Sequence, residues 1–117
     1  VYDAPDIGVF ESPYAVGIHD ENLMPEEFAL HQNFPNPFNP ATLIRYELPQ
    51  RADVSIIVYD IMGQQIVSLV SENQSAGYHS IKWNGKDRLG HQASTGMYLY
   101  VIHASDFAQT RKMLLLK

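Results

Sequence analysis

The sequence predicts an all-β domain, a sandwich of about seven antiparallel strands, from three observations. Apolar and polar residues alternate with a period of two in short runs from residue 42 onward. Gly, Asn, Asp and Pro residues separate these runs at short intervals, as turns separate strands. No run has the 3.6-residue periodicity of an amphipathic helix. The chain of 117 residues is long enough for one such domain with its own core.

The first two predicted strands have one fully apolar face each. In residues 43–48 the even-numbered positions are apolar, and Pro49 ends the strand because it lacks an amide donor. Residues 54–59 alternate in the same way. The side chains predicted to face the core are Ile44, Tyr46, Leu48, Val54, Ile56 and Val58.

The middle of the chain predicts two further strands and the turns between them. Residues 60–63 form a predicted turn with Gly63 at positive φ, and residues 66–70 return as the partner strand. Residues 75–77 form a predicted break between this strand and the next. Residues 78–83 alternate again, with His79 hydrogen-bonded across strands at the edge of the core and Trp83 inside it. Asn84-Gly85 is a strong turn signal.

The last third of the chain predicts a central strand and a terminal strand. Residues 97–104 are apolar on both faces, which indicates a strand covered on each side. Phe107-Ala108 is placed at the following turn, and residues 110–116 form the last strand. A further strand is expected around residues 28–31. This succession of short strands predicts an Ig-like sandwich.

Charge divides the chain near Phe28. Residues 1–27 contain seven acidic residues and no Lys or Arg, whereas residues 28–117 contain eight basic and six acidic residues. We therefore predict an acidic linker, or the end of a preceding domain, over 1–27 and the sandwich over 28–117. One short strand is expected near residues 15–18, and whether residues 1–27 pack on the sandwich stays open.

Composition excludes several functional classes. The chain has no cysteine, so neither a disulfide framework nor a thiolate metal site can form. No apolar run is long enough to span a membrane, and no signal peptide opens the sequence. An exported protein would then carry its signal upstream in a longer precursor, or this chain would itself carry the address. No basic patch with interleaved aromatic residues indicates nucleic-acid binding.

The sequence also lacks a recognisable reactive site. The five histidines have no metal-ligand spacing, and Ser94 has no nucleophile context. Residues 84–90 resemble half of a calcium loop, but they lack a closing carboxylate and carry Lys86 and Arg88. We predict a hydrogen-bonded turn there, although a bound cation stays an alternative. We expect no enzyme activity, no catalytic residues, no cofactor and no metal.

Seven short motifs carry a resemblance to a known family. The most unusual is NFPNPFNP at 33–40, whose prolines make it a stiff, extended segment. Together the motifs resemble the C-terminal sorting domains (type A) of bacterial type IX, or Por, secretion, which are related to the Ig-like domain of the flagellar hook-capping protein. The others are YELP at 46–49, VYDIMG at 58–63, AGYH at 76–79, WNGKD at 83–87, STGMY at 94–98 and KMLLLK at 112–117. Asn84 stands where the family usually has Asp.

The resemblance implies a targeting function. Such domains direct an exported, covalently linked upstream cargo through the periplasm of a Gram-negative bacterium and the outer-membrane type IX translocon, to the cell surface or the medium. A sortase-like peptidase commonly removes the domain, and cleavage would fall near or before Phe28. The resemblance assigns the sorting motif to Pro35, Asn36, Pro37, Gly96, Tyr98, Lys112, Met113, Leu114, Leu115, Leu116 and Lys117.

The last strand is the candidate recognition surface. One apolar pair, Met113 and Leu115, is expected to face the core, which leaves Leu114 and Leu116 for a partner by strand addition or patch binding. Alternatively, the N-terminal segment covers that pair and the flanking lysines only guard an edge. Two other functions stay open: an accessory Ig-like module of a secreted hydrolase, which binds carbohydrate or spaces domains, and a structural assembly domain like the hook-cap module.

Overall fold

The computed structural model describes residues 24–116, and these residues form seven strands. The sequence therefore correctly predicted the number of strands and the all-β class. The strands, in chain order, are β1 (Ala29–Leu30), β2 (Thr42–Leu48), β3 (Ala52–Asp60), β4 (Gln65–Gln74), β5 (Gly77–Trp83), β6 (Gly96–Ala104) and β7 (Phe107–Leu115).

The strands form two antiparallel sheets that pack as an Ig-like sandwich. The three-stranded sheet has the order β1-β2-β5, and the four-stranded sheet has the order β4-β3-β6-β7. Both predicted apolar faces of β2 and β3 lie in the core between the sheets. Trp83 is 1% exposed and contacts the rings of Phe38 and Tyr98, with centroids 5.6 and 5.5 Å away.

The last hairpin differs from the prediction. Phe107 and Ala108 belong to β7, and the turn consists of Ser105 and Asp106, with Ser105 at φ 55°. Phe107 pairs with Ala104 as the first residue of β7, and its ring stacks on the ring of Phe28 with centroids 5.5 Å apart. The sequence did not predict a turn at Ser105, because the left-handed conformation that this residue adopts is usually occupied by Gly or Asn.

Strand β6 is central in its sheet, as predicted, but only one of its faces is covered. Tyr98, Tyr100 and Ile102 are buried in the core. On the other face Met97 is exposed and Leu99 is only half-buried, and no element within residues 24–116 packs over them. The prediction that both faces are covered was wrong for the described part of the chain.

Smaller differences concern β4 and His79. Strand β4 continues to Gln74, beyond the predicted end at Val70, because its second half pairs with the start of β3. The His79 ring stacks on its cross-strand partner Tyr46, and its Nε2 atom bonds the backbone oxygen of Ser75 in the preceding turn rather than a neighbouring strand.

The predicted strand near residues 15–18 and the sorting-motif residue Lys117 lie outside the described residues. Pro25 is buried, so the packed part of the chain extends upstream of Phe28. Among residues 24–116 there is no helix long and apolar enough to cross a membrane.

Candidate functional site

Strand register places most of the quoted motifs at one end of the sandwich. In the larger sheet Asp60 lies opposite Tyr98, and Gly96 lies opposite Leu115. In the smaller sheet Thr42 lies opposite Trp83. We call this the motif end: residues 33–43, 60–65, 83–98 and 112–116. The other end, where Phe28 stacks on Phe107, is the linker end.

At the motif end, the proline-rich segment lies along the outer edge of β7. The amide of Phe38 donates to the oxygen of Leu114 at 3.0 Å, and the amide of Leu116 donates to the oxygen of Phe38 at 2.9 Å. Phe38 and Leu115 thereby form a parallel bridge. The segment is thus joined to the terminal strand, more than seventy residues away in sequence.

Side chains supply the hydrogen bonds that prolines cannot. The peptide bonds before Pro35, Pro37 and Pro40 are cis, and none of these residues has an N–H to donate to a ladder. Instead, Asn36 Oδ1 accepts from the amide of Leu114 at 3.0 Å. The Nε2 of Gln32, just before the segment, donates to the oxygen of Lys112 at 2.7 Å.

Asn33 and Tyr100 hold the start of the segment on the core. The amide of Asn33 donates to the Tyr100 hydroxyl at 2.8 Å, and that hydroxyl donates to the oxygen of His31 at 2.7 Å. The Asn33 side chain is buried and donates to Thr42 and to the oxygen of Pro35. Burial raises the pKa of Tyr100 to about 12, so its hydroxyl stays a donor at neutral pH.

The structure divides the predicted sorting-motif residues by exposure. Met113 and Leu115 are buried, as expected, and Leu116 is 42% exposed. Leu114 is half-buried, and Lys112 is exposed. Tyr98 is buried, and its hydroxyl donates to the oxygen of Ser94; Gly96 is half-buried, whereas Pro35, Asn36 and Pro37 are exposed.

Strand addition along the end of β7 is therefore blocked in this structure. The backbone groups of Lys112, Leu114 and Leu116 that point away from β6 already bond residues 32–38. The edge is occupied by residues 32–38, whereas most of the N-terminal segment, the predicted cover of Leu114 and Leu116, lies outside the described residues. The exposed part of the Leu116 side chain remains accessible for patch binding.

The loop 84–92 is a hydrogen-bonded turn, as predicted. Asp87 Oδ1 accepts from the amides of Leu89 and His91, both at 2.9 Å. The bond from His91 is the largest cause that lowers the pKa of Asp87. This oxygen is occupied by the turn itself, and residues 24–116 contain no group of three His, Cys, Asp or Glu that could hold a metal ion.

Gly85 fixes the position of this loop. Its φ is +78°, and an added Cβ would lie 2.7 Å from the backbone oxygen of Pro40. The glycine of the WNGKD motif is therefore required both for its conformation and for close contact with the proline-rich segment.

Exposed apolar side chains are concentrated at the motif end. Seven of the nine large, exposed apolar residues in the described part of the chain lie there, and only Met24 and Tyr78 do not. Sequence patterns alone did not identify these residues as a group. Periodicity detects the apolar faces of strands, and most of these residues lie in turns or at the ends of strands. The seven residues are Phe34, Leu43, Ile61, Met62, Leu89, Met97 and Leu116.

The profile of the FlgD Ig-like domain matches residues 39–106, which is more than half of the chain. The chain belongs to this family. The FlgD Ig-like match spans β2 to β6 and includes three of the four segments of the motif end, 60–65 and 83–98 whole and 33–43 in part. No curated protein matches the chain.

Solved structures that share the FlgD Ig-like fold include two proteins from Porphyromonas gingivalis. Dimeric latent PorU has a TM-score of 0.59 and 22% identity over 73% of this chain and 9% of its own. PorZ, described as an essential bacterial surface component of the type-IX secretion system, has a TM-score of 0.53 and 16% identity over 79% of this chain and 12% of its own. At these identities the likeness concerns the fold alone.

FlgD from P. aeruginosa is a third similar structure. It has a TM-score of 0.51 and 27% identity over 63% of this chain and 58% of its own. The chain thus spans less than two thirds of each of these three structures.

Proposed function

We propose that this FlgD Ig-like domain is a C-terminal sorting domain that directs an exported cargo through the type IX translocon to the cell surface or the medium. The domain is linked to its cargo through residues upstream of the sandwich. Its role is recognition rather than catalysis, and it needs no cofactor. Its partners are the translocon and a sortase-like peptidase that removes it.

The observation that carries this proposal is the separation of the two ends of the sandwich. The chain enters at the linker end, where Phe28 stacks on Phe107. The proline-rich and C-terminal motifs meet at the opposite end, where Phe38 bridges Leu115. A cargo attached upstream therefore leaves the motif end free for a receptor.

The surface read by the receptor is a patch of side chains. The outer backbone edge from Lys112 to Leu116 is occupied, so main-chain pairing cannot provide the recognition. The exposed groups there include Lys112, the outer part of Leu116, and Pro35 and Pro37 of the proline-rich segment. Because these residues come together only in the folded sandwich, the signal depends on folding.

The similarity of the fold to PorZ supports the same proposal. That protein is described as a surface component of the type-IX secretion system. A sandwich of this shape thus occurs in a protein of the pathway in which we place this chain.

The test is a fusion of the full 117-residue chain to the C-terminus of a periplasmic reporter, in a bacterium with a type IX system. We expect the reporter at the cell surface or in the medium. The same fusion in a strain without the translocon is the control, and it should keep the reporter in the periplasm. Periplasmic retention in both strains would contradict the proposal.

A further inference from the structure

Two turns at the motif end have the same construction. Residues 60–64 read DIMGQ, and residues 87–91 read DRLGH. In the first, Asp60 Oδ1 accepts from the amides of Met62 and Gln64, both at 2.9 Å. In the second, Asp87 Oδ1 accepts from the amides of Leu89 and His91, also at 2.9 Å. The glycines, Gly63 and Gly90, have φ of +86° and +87°, and the amide of each donates to the backbone oxygen of the aspartate in its turn at 3.0 Å. We call residues 60–64 and 87–91 the twin turns.

The twin turns hold large aliphatic side chains in solvent. Met62 is 82% exposed and Leu89, at the equivalent position, is 70% exposed. Ile61 is 69% exposed. The aspartate and glycine fix the backbone in both turns, so the fold does not require an apolar residue at these positions. Large apolar side chains at such positions, grouped together, indicate a contact surface.

A hydrogen bond connects the second turn to the strand that follows the first turn. The amide of Arg88 donates to the oxygen of Ile66 at 3.1 Å, just after the first turn. The second turn is closed by a further bond from the amide of Ala93 to the oxygen of Gly85 at 2.8 Å. The apolar residues of both turns are therefore presented from one end of the sandwich by a fixed backbone.

Basic residues line a groove beside the second turn. The groove has a volume of about 490 Å³, and Lys82, Lys86 and Arg88 line it together with Val67 and Leu69. Asp87 is the only acidic residue in its lining, and one of its oxygens already accepts two amides. None of the three basic residues forms an ion pair with another residue of the described chain.

The charge of the sandwich itself does not oppose an anionic ligand. The net charge of the whole chain is −5, but residues 28–117 contain eight basic and six acidic residues. The groove thus provides a local excess of positive charge on an acidic protein. Salt screens charges more than about 10 Å apart, so the local excess governs binding.

We propose that the twin turns and the basic groove form a docking site for a membrane surface rich in anionic phospholipid. Headgroup phosphates bind Lys82, Lys86 and Arg88, while Met62, Leu89 and Ile61 enter the interfacial region. The site combines exposed aliphatic side chains with basic residues of the neighbouring groove. A lipid surface fits such a site because it needs no complementary pocket. The inference does not depend on the sorting function.

The test is flotation of the full 117-residue chain with two kinds of vesicle, one of phosphatidylcholine alone and one containing phosphatidylglycerol. We expect binding to the anionic vesicles and little binding to the neutral ones. Replacing Met62 and Leu89 together by Ser should weaken binding about tenfold or more. Replacing Lys86 and Arg88 by Gln should weaken it about fivefold per charge removed.

The matched control is Tyr78→Ser, an exposed residue of β5 near the linker end, which should leave binding unchanged. Circular dichroism confirms that each variant keeps its sheet content. Absence of vesicle binding, equal binding to both kinds of vesicle, or unchanged binding of the Met62 and Leu89 variant would each overturn the proposal. So would sedimentation showing that the twin turns join two copies of the chain instead.

Discussion

Asn36 Oδ1 accepts a hydrogen bond from the backbone amide of Leu114 at 3.0 Å, across 78 positions of sequence. The first and last unusual motifs of the chain are therefore parts of one structure. The Asn36 side chain takes the place of a backbone carbonyl in a neighbouring strand, next to prolines that cannot donate. The edge of β7 is closed by this arrangement, as sandwich edges must be to avoid pairing between molecules.

The first prediction concerns this bond. Asn36→Ala removes the acceptor of the Leu114 amide, and we expect a loss of about 1 kcal/mol in the free energy of unfolding. Asn39→Ala is the matched control, because its side chain makes no hydrogen bond among the described residues, and it should cost less. Urea denaturation of both variants measures the difference. Equal losses would mean that the Asn36 bond does not hold the segment.

The pattern of the sequence predicted the sheets well, because alternation and turn residues are local signals. Even the hairpin turn at Gly63 was placed correctly, at φ +86°. The Asn36–Leu114 bond and the Phe38–Leu115 bridge could not be predicted in this way, since they join distant segments without periodicity. The open outer face of β6 could not be predicted either. Apolar residues such as Leu99 and Val101 indicate a face that could be covered, but their pattern does not show whether another element packs on it.

The candidate site was predicted only in its parts. The resemblance identified motifs such as residues 33–40 and 112–116, but not that they meet at one end of the sandwich. The twin turns were missed as a pair, because each reads as an ordinary turn ending in glycine. A comparison of DIMGQ with DRLGH within the sequence is the signal that could have revealed them.

The second prediction concerns the contact between the loop and the proline-rich segment. Gly85→Ala places a methyl group 2.7 Å from the Pro40 oxygen, in a backbone conformation at φ +78° that disfavours alanine. We expect a loss of about 3 kcal/mol or more in the free energy of unfolding. Gly90→Ala is the control, because its φ is +87° but open space surrounds it, so the loss should be about 1 to 2 kcal/mol. Chemical denaturation distinguishes the two, and equal losses would show that the Pro40 contact is unimportant.

The third prediction concerns Tyr100. Tyr100→Phe leaves the buried amide of Asn33 and the oxygen of His31 without their partner. Such unpaired groups cost about 1 to 3 kcal/mol each in the free energy of unfolding. Tyr78→Phe, at an exposed hydroxyl, should have no measurable effect. A thermal or urea melt of the two variants checks the expectation, and a neutral Tyr100→Phe would contradict it.

The same hydroxyl predicts a loss of stability at high pH. The pKa of Tyr100 is about 12 in the folded chain, against about 10 for an unfolded tyrosine. Because the folded pKa is the higher one, the stabilisation is complete below pH 10 and is lost as pH rises from about 10 to 12. We expect the loss to be on the order of 2 kcal/mol, and smaller in Tyr100→Phe. Denaturation at pH 9 and pH 11.5 compares the two proteins, and parallel losses would refute the assignment to Tyr100.

The fifth prediction separates folding from recognition in the terminal motif. Leu115 is fully buried, so Leu115→Ala should lower the free energy of unfolding by about 2 to 5 kcal/mol. Leu116 is 42% exposed, and its backbone bond to Phe38 survives substitution, so Leu116→Ala should cost about 0.5 kcal/mol or less. In the reporter fusion, however, Leu116→Ala should still reduce export, because it removes part of the exposed patch. Normal export of a stable Leu116→Ala fusion would show that this side chain is not read.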